Sequence, residues 1–196
     1  MGIMAKGKDD LILRDRLQFT LSSGSLPVVY GRLDLSDYVS VVENNGLSIK
    51  EIRYQFRNPT GNAAGIPLNI GDDGTAAESA LQVFATTTAY EDGATVGIAS
   101  PNVINFCEMR SYNNGAGSTA TTTGLNDNDW IEWSVPDLHP EGYMVVTDVL
   151  IGICADSVTN PTLEDATLEL DVMMIAEPKK ITKADLNDML TQTQDL

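Results

Sequence analysis

Residues 167–177 read TLELDVMMIAE. Leu168, Leu170, Val172, Met174 and Ala176 fall on one parity, and Glu169, Asp171, Met173, Ile175 and Glu177 on the other. Successive side chains of an extended backbone point to opposite faces, so this is a strand with one face in a core. A helix would repeat its apolar residues every three or four positions. The second face is mixed: Met173 and Ile175 stand between acids, more apolar than a free monomer presents to water.

The same period recurs outward from this stretch. "RLQFTLS" (16–22) alternates Leu17, Phe19 and Leu21 with Gln18 and Thr20. "LSIKEIRYQFRN" (47–58) sets Ile52, Tyr54 and Phe56 against Glu51, Arg53, Gln55 and Arg57. "DWIEWSV" (129–135) sets Ile131, Trp133 and Val135 against Glu132 and Ser134, leaving Trp130 outside the inward set. "LPVVYGRLDL" (26–35) is β-rich, with Pro27 and Gly31 marking an edge or a bend. "SALQVFATTTAY" (79–90) and "NVINFCEMRSY" (102–112) are less regular, as strands covered on both faces are. With 143–153 the strands number eight. Ile52, Tyr54, Phe56, Ile131, Trp133, Leu170 and Val172 are expected to share one interior.

Two helices are predicted. "SDYVSVVENNG" (36–46) has Ser36 as N-cap, apolar Tyr38, Val41 and Val42, and an Asn-Asn-Gly stop. "ITKADLNDMLTQTQ" (181–194) follows Pro178, which is expected to end the last strand, and pairs Thr182 as N-cap with Asp185. Its apolar face is only Ile181, Leu186, Met189 and Leu190, so it needs a surface to rest on. Met173, Ile175, Leu186, Met189 and Leu190 are the candidate subunit-contact residues.

The connections 59–78, 113–127 and 156–166 are rich in Gly, Asn, Thr and Ala. Loops of this length fit a sandwich whose loops cluster at its ends. With 196 residues, no internal repeat and no linker, the chain reads as one domain. An N-terminal arm (1–15) and a C-terminal arm (179–196) flank a sandwich over 16–178. The expected fold is all-β: an eight-stranded antiparallel β-sandwich of jelly-roll type, with one short helical insertion and a helical C-terminal arm. Alternation and strand count leave an immunoglobulin-like or other Greek-key sandwich open.

Charge is unevenly spread. Residues 1–57 hold eight Lys/Arg against seven Asp/Glu, whereas 58–178 hold Arg110 alone against eighteen acids. An acidic body argues against an autonomous nucleic-acid binder, which needs clustered Lys and Arg. Colloidal repulsion between copies is the simpler use of a net charge of −16. "MGIMAKGKDD" has no apolar run of signal-peptide length, and Lys6 stands where a myristoylation motif wants Ser or Thr. The twelve residues Met144 to Ala155 are too few and too polar to span a bilayer. A soluble protein made without an export sequence is expected.

The available chemistry is narrow. His139 is the only histidine, and His139-Pro-Glu-Gly reads as a turn. Cys107 and Cys154 are too few for a disulfide scaffold and read as free, buried thiols. One histidine and two distant cysteines lack metal-ligand spacing. No G-x-S-x-G is present. Asp148 interrupts an apolar strand and is placed at a strand end. Carboxylates are plentiful enough for a two-acid glycosidase, but sugar clefts display aromatic platforms, and few aromatics lie outside the strand pattern. Trp130 is read as packing against a neighbouring element or subunit, with ligand stacking as the alternative. "NDND" (126–129) and "GDDG" (71–74) lack full calcium-loop spacing and read as solvated loops. No catalytic residue, metal or cofactor is assigned, and the chain is not expected to be an enzyme.

"DWIEWSVPDLHPEGYMVVTDVLIGICAD" with "LELDVMMIAEPKKITKADLNDMLTQ" resembles the final strands and C-terminal arm of a single jelly-roll viral capsid protein. "LSDYVSVVENNGLSIKEIRYQFRNP" is similar to a helix-then-strand element of such coats. The likeness implies a major capsid protein that self-assembles into an icosahedral shell, located in the virion and assembled in the host cytoplasm. Its partners would be many copies of itself, with or without minor capsid proteins. The chain lacks a long arginine-rich arm; Lys6, Lys8, Arg14 and Arg16 leave contact with a genome or inner layer open, and direct packaging is weak or absent. A β-sandwich binding module, carbohydrate-binding or a viral spike domain, is the alternative.

Overall fold

The computed structural model describes residues 9–20, 27–57, 76–114, 126–156 and 166–186. Nine strands follow one another there: β1 (Leu11–Thr20), β2 (Val29–Leu33), β3 (Asn45–Arg57), β4 (Ala76–Thr86), β5 (Val103–Asn114), β6 (Asn126–Trp133), β7 (Tyr143–Val145), β8 (Val149–Asp156) and β9 (Thr167–Lys180). A single helical turn, α1 (Val135–Leu138), links β6 to β7. One sheet runs β1-β9-β3-β7 and the other β2-β8-β4-β5-β6, in a sandwich-like arrangement. All pairings are antiparallel, and they nest: β1 with β9, β2 with β8, β3 with β7, β4 with β5.

The alternation seen in the sequence becomes the core between the sheets. Leu168, Leu170, Val172, Met174 and Ala176 of β9 join Ile49, Ile52 and Phe56 of β3. Opposite them stand Leu81 and Val83 of β4, Ile104 and Met109 of β5, and Ile151 and Ile153 of β8. Tyr54 packs against this cluster, and its hydroxyl donates to Asn105 Oδ1 at 2.6 Å.

The five-stranded sheet is also covered on its outer face. Phe84, Val96, Val103 and Phe106 are buried there, with Tyr30, Tyr90, Trp133 and Leu138 packed around them. Burial on both sides explains why 79–90 and 102–112 lack clean alternation. It also corrects the register expected for β6. Trp133 pairs with Phe106 and lies beside it on the outer face, ring centroids 5.7 Å apart. Trp130, paired with Met109, turns to the main core, edge-on to Phe56 at 5.9 Å. Ile131 and Trp133 therefore do not share the interior of Ile52, Phe56, Leu170 and Val172, whereas Val135 enters it from α1. Period two finds the strand but cannot choose its inward face when both faces are apolar.

Three further expectations are corrected. The stretch 143–153 is two strands in different sheets, so the described residues hold nine strands where eight were expected. The predicted helix over 36–46 is a series of turns. Asp34 Oδ1 accepts from Ser36 N–H at 2.9 Å, Ser40 and Asn45 exchange backbone hydrogen bonds, and Asn44 adopts φ 55°. Local side-chain bonds and β-branched Val39, Val41 and Val42 outcompete the helix. Pro178 does not end the last strand either: β9 runs on to Lys180, pairing Leu47 with Pro178. Pairing with β1 stops at Ala176, so β9 is an edge from there on, where a missing N–H is tolerated.

Candidate functional site

The outer face of the four-stranded sheet gathers charge in ion-paired rows. Across β1, β9 and β3, Arg14, Met173 and Arg53 are aligned, then Arg16, Asp171 and Gln55, then Gln18, Glu169 and Arg57. Arg16 Nε lies 2.5 Å from Asp171, and Arg57 Nη1 3.5 Å from the same carboxylate. The hydrogen bond from Arg16 holds the Asp171 carboxyl below its ordinary pKa. Arg53 binds Glu51 at 2.5 Å, and Lys50 bridges Asp10 at 2.7 Å and Glu177 at 3.0 Å. Arg14 makes no ion pair among the described residues. A groove of about 730 Å³ opens on this face, lined by Arg14, Arg16, Arg53, Gln55 and Met173 among others.

The candidate contact residues do not form one patch. Met173 and Ile175 lie half-buried on this face, Met173 beside the groove and Ile175 in the row of Ile12 and Glu51. Leu186 is buried within the chain itself, with Ile181 and Val146. Thr182 and Asp185 form the expected cap, Asp185 N–H donating to Thr182 Oγ1 at 3.2 Å. Met189 and Leu190 lie outside the described residues.

His139 sits where its Pro-Glu-Gly sequence placed it. Gly142 N–H donates to the His139 carbonyl at 2.9 Å, and Gly142 takes φ 85°, a left-handed conformation that favours glycine. The ring is half-buried, Nε2 2.9 Å from the Val103 carbonyl and edge-on to Tyr143. It has no carboxylate or nucleophile partner among the described residues. Cys107 and Cys154 are free and buried on opposite faces of one sheet. Burial pushes the Cys107 thiol well up, and Cys154 up to about 11, so neither is a thiolate at neutral pH.

No family model matches the chain, and no curated protein matches it.

Among the described residues, no group of three or more His, Cys, Asp or Glu is placed to hold a metal ion, and no helix is long and apolar enough to cross a membrane. Residues 126–129 are strand, paired with 110–113, rather than a loop; 71–74 lie outside the described residues. Three features escaped the sequence reading. Glu132 is paired with Cys107 and half-buried, and burial raises its carboxyl above the ordinary value. Asn105 is fully buried, its Nδ2 without a hydrogen-bond partner among the described residues. The turn after β2 exposes Tyr38, Val41 and Val42 together. Only the last had a signal: an apolar trio flanked by Asp37 and Glu43.

Proposed function

We propose that this chain is a structural protein, the major capsid protein of an icosahedral shell built on a single jelly roll. The nested pairing of the strands carries the reading. A jelly roll is an antiparallel ribbon wrapped so that successive strand pairs fall alternately into two sheets. Here β1·β9 and β3·β7 share one sheet, and β2·β8 and β4·β5 share the other. On this reading β6 is an added edge strand beside β5. A shell protein works through repeated symmetric contacts and needs no catalytic group.

Negative-stain electron microscopy of the expressed chain tests it. Closed shells of uniform size are the expected result; a monomer at every salt concentration and pH would overturn the assignment. The alternative, a β-sandwich binding module, has one feature in its favour: Trp130 is 45% exposed. Glycan-array binding by the monomer, lost in Trp130→Ala, would establish that reading instead.

A further inference from the structure

We propose that the exposed turn after β2 of one copy seats in the arginine-lined groove over Met173 of a second copy. This rests on the self-assembly reading and identifies the contact through which it would work.

The turn is shaped as a plug. Val42 is 93% exposed, and Val41 and Tyr38 stand beside it with Asp37 and Glu43 on either side. A monomer gains nothing by holding three large apolar side chains in water. The turn is already ordered. Ser40 and Asn45 are joined by two backbone hydrogen bonds of 2.9 Å, and Glu43 N–H donates to Ser40 Oγ at 3.2 Å. Little conformational freedom is left to lose on docking.

The groove has complementary chemistry. Met173 supplies an apolar contact, and Arg14, Arg16 and Arg53 line the groove with Asp15 and Asp171. Arg16 is paired to Asp171, whereas among the described residues Arg14 has no ion pair and Arg53 is ion-paired to Glu51 of its own strand. Its volume, about 730 Å³, accommodates a few side chains. Four of the six arginines of the chain lie on this one sheet face, while residues 58–178 are acidic apart from Arg110. An acidic turn from another copy is repelled by that acidic segment and attracted here.

The turn cannot fill its own groove. Asn45 pairs with Lys180, seven residues along β9 from Met173, a separation of roughly 23 Å at the strand rise. The contact therefore joins two different surfaces, and unless two copies exchange turns reciprocally it repeats head to tail from copy to copy.

Charge reversal tests the match. Arg14→Glu with Arg53→Glu, and separately Asp37→Lys with Glu43→Lys, should each lower the assembled fraction at least tenfold in light scattering, with β-rich circular dichroism unchanged. All four substitutions in one chain should restore assembly. If wild type assembles and either reversal assembles equally well, the docking proposal falls while the capsid reading stands. If wild type never assembles, both fall. Two failed reversals without rescue in the combined chain would show that these surfaces do not meet. Should the reversals misfold, Val42→Ser decides, because that side chain lies in water in the monomer: unchanged assembly overturns the proposal. Reversals that assemble normally but lose retention on immobilised DNA would reassign the groove to a polyanion.

Discussion

Asp148 Oδ1 accepts the backbone N–H of Leu35 at 2.8 Å, where the chain leaves β7 in one sheet for β8 in the other. Its second oxygen lies 2.6 Å from Arg32, whose side chain is mostly exposed. The two contacts differ in weight. A part-buried N–H left without an acceptor costs about 1–3 kcal/mol, whereas an exposed ion pair contributes about 0–1 kcal/mol. Asp148→Ala should therefore cost about 1–3 kcal/mol in urea unfolding. Asp148→Asn, which keeps an acceptor, should cost under about 1 kcal/mol. Equal losses would mean that the charge matters and the acceptor does not.

The same carboxylate shows what was legible and what was not. A single acid inside Val145–Ile153 marked an irregularity, and the strand end was readable from it. The change of sheet was not, because period two describes a strand without naming its neighbours. The inward faces of β9 and β3 were readable, since one face meets the core and the other carries charge, but the run of β9 past Pro178 was not. The register of β6 failed because the five-stranded sheet buries Phe84 and Phe106 on the side away from the core. The turn over 36–44 failed because its helix-like capping residue and apolar spacing compete with Asp34 and Asn44, which bend the chain locally. The groove draws on three separate segments, 14–16, 53–55 and 171–173, and no local pattern relates them to the turn over 37–43.

Gly152 and Phe84 make a direct test of the outer layer. They are paired across β8 and β4, and a Cβ on Gly152 would run into the Phe84 ring. Gly152→Ala should cost about 1–3 kcal/mol through overpacking. Phe84→Ala should cost about 3–5 kcal/mol by leaving a cavity. Because the methyl occupies space that the ring vacates, the double variant should be more stable than the sum of the two losses predicts. Strict additivity in a thermal-unfolding cycle would refute this contact.

Glu132 gives a pH dependence of known sign. Burial, reinforced by Glu51 and opposed by Arg53, raises its folded-state pKa above the ordinary carboxyl value. The folded state thus penalises the charge at neutral pH. As pH falls through the raised pKa, the folded state takes up a proton first and the penalty disappears. Glu132→Gln should melt higher than wild type at pH 7, with the difference shrinking as the solution is acidified. A constant difference across that range would mean that the carboxylate is as well solvated folded as unfolded.

The C-terminal arm needs two truncations rather than one. Ile181 and Leu186 are buried beside Val146, and the Ile181 N–H donates to the Asn44 carbonyl at 2.9 Å, so the start of the arm belongs to the fold. Leu186→Ala should cost about 2–5 kcal/mol, the usual range for a buried leucine. A chain ending at Lys180 loses both anchors and should melt markedly lower, so its failure to assemble would not separate folding from contact. A chain ending at Leu186 keeps the anchors and loses Met189 and Leu190. If those two residues tie subunits together, this second chain should unfold like wild type yet form no particles. Normal particles from it would confine the contribution of the arm to Ile181 and Leu186, within a single subunit.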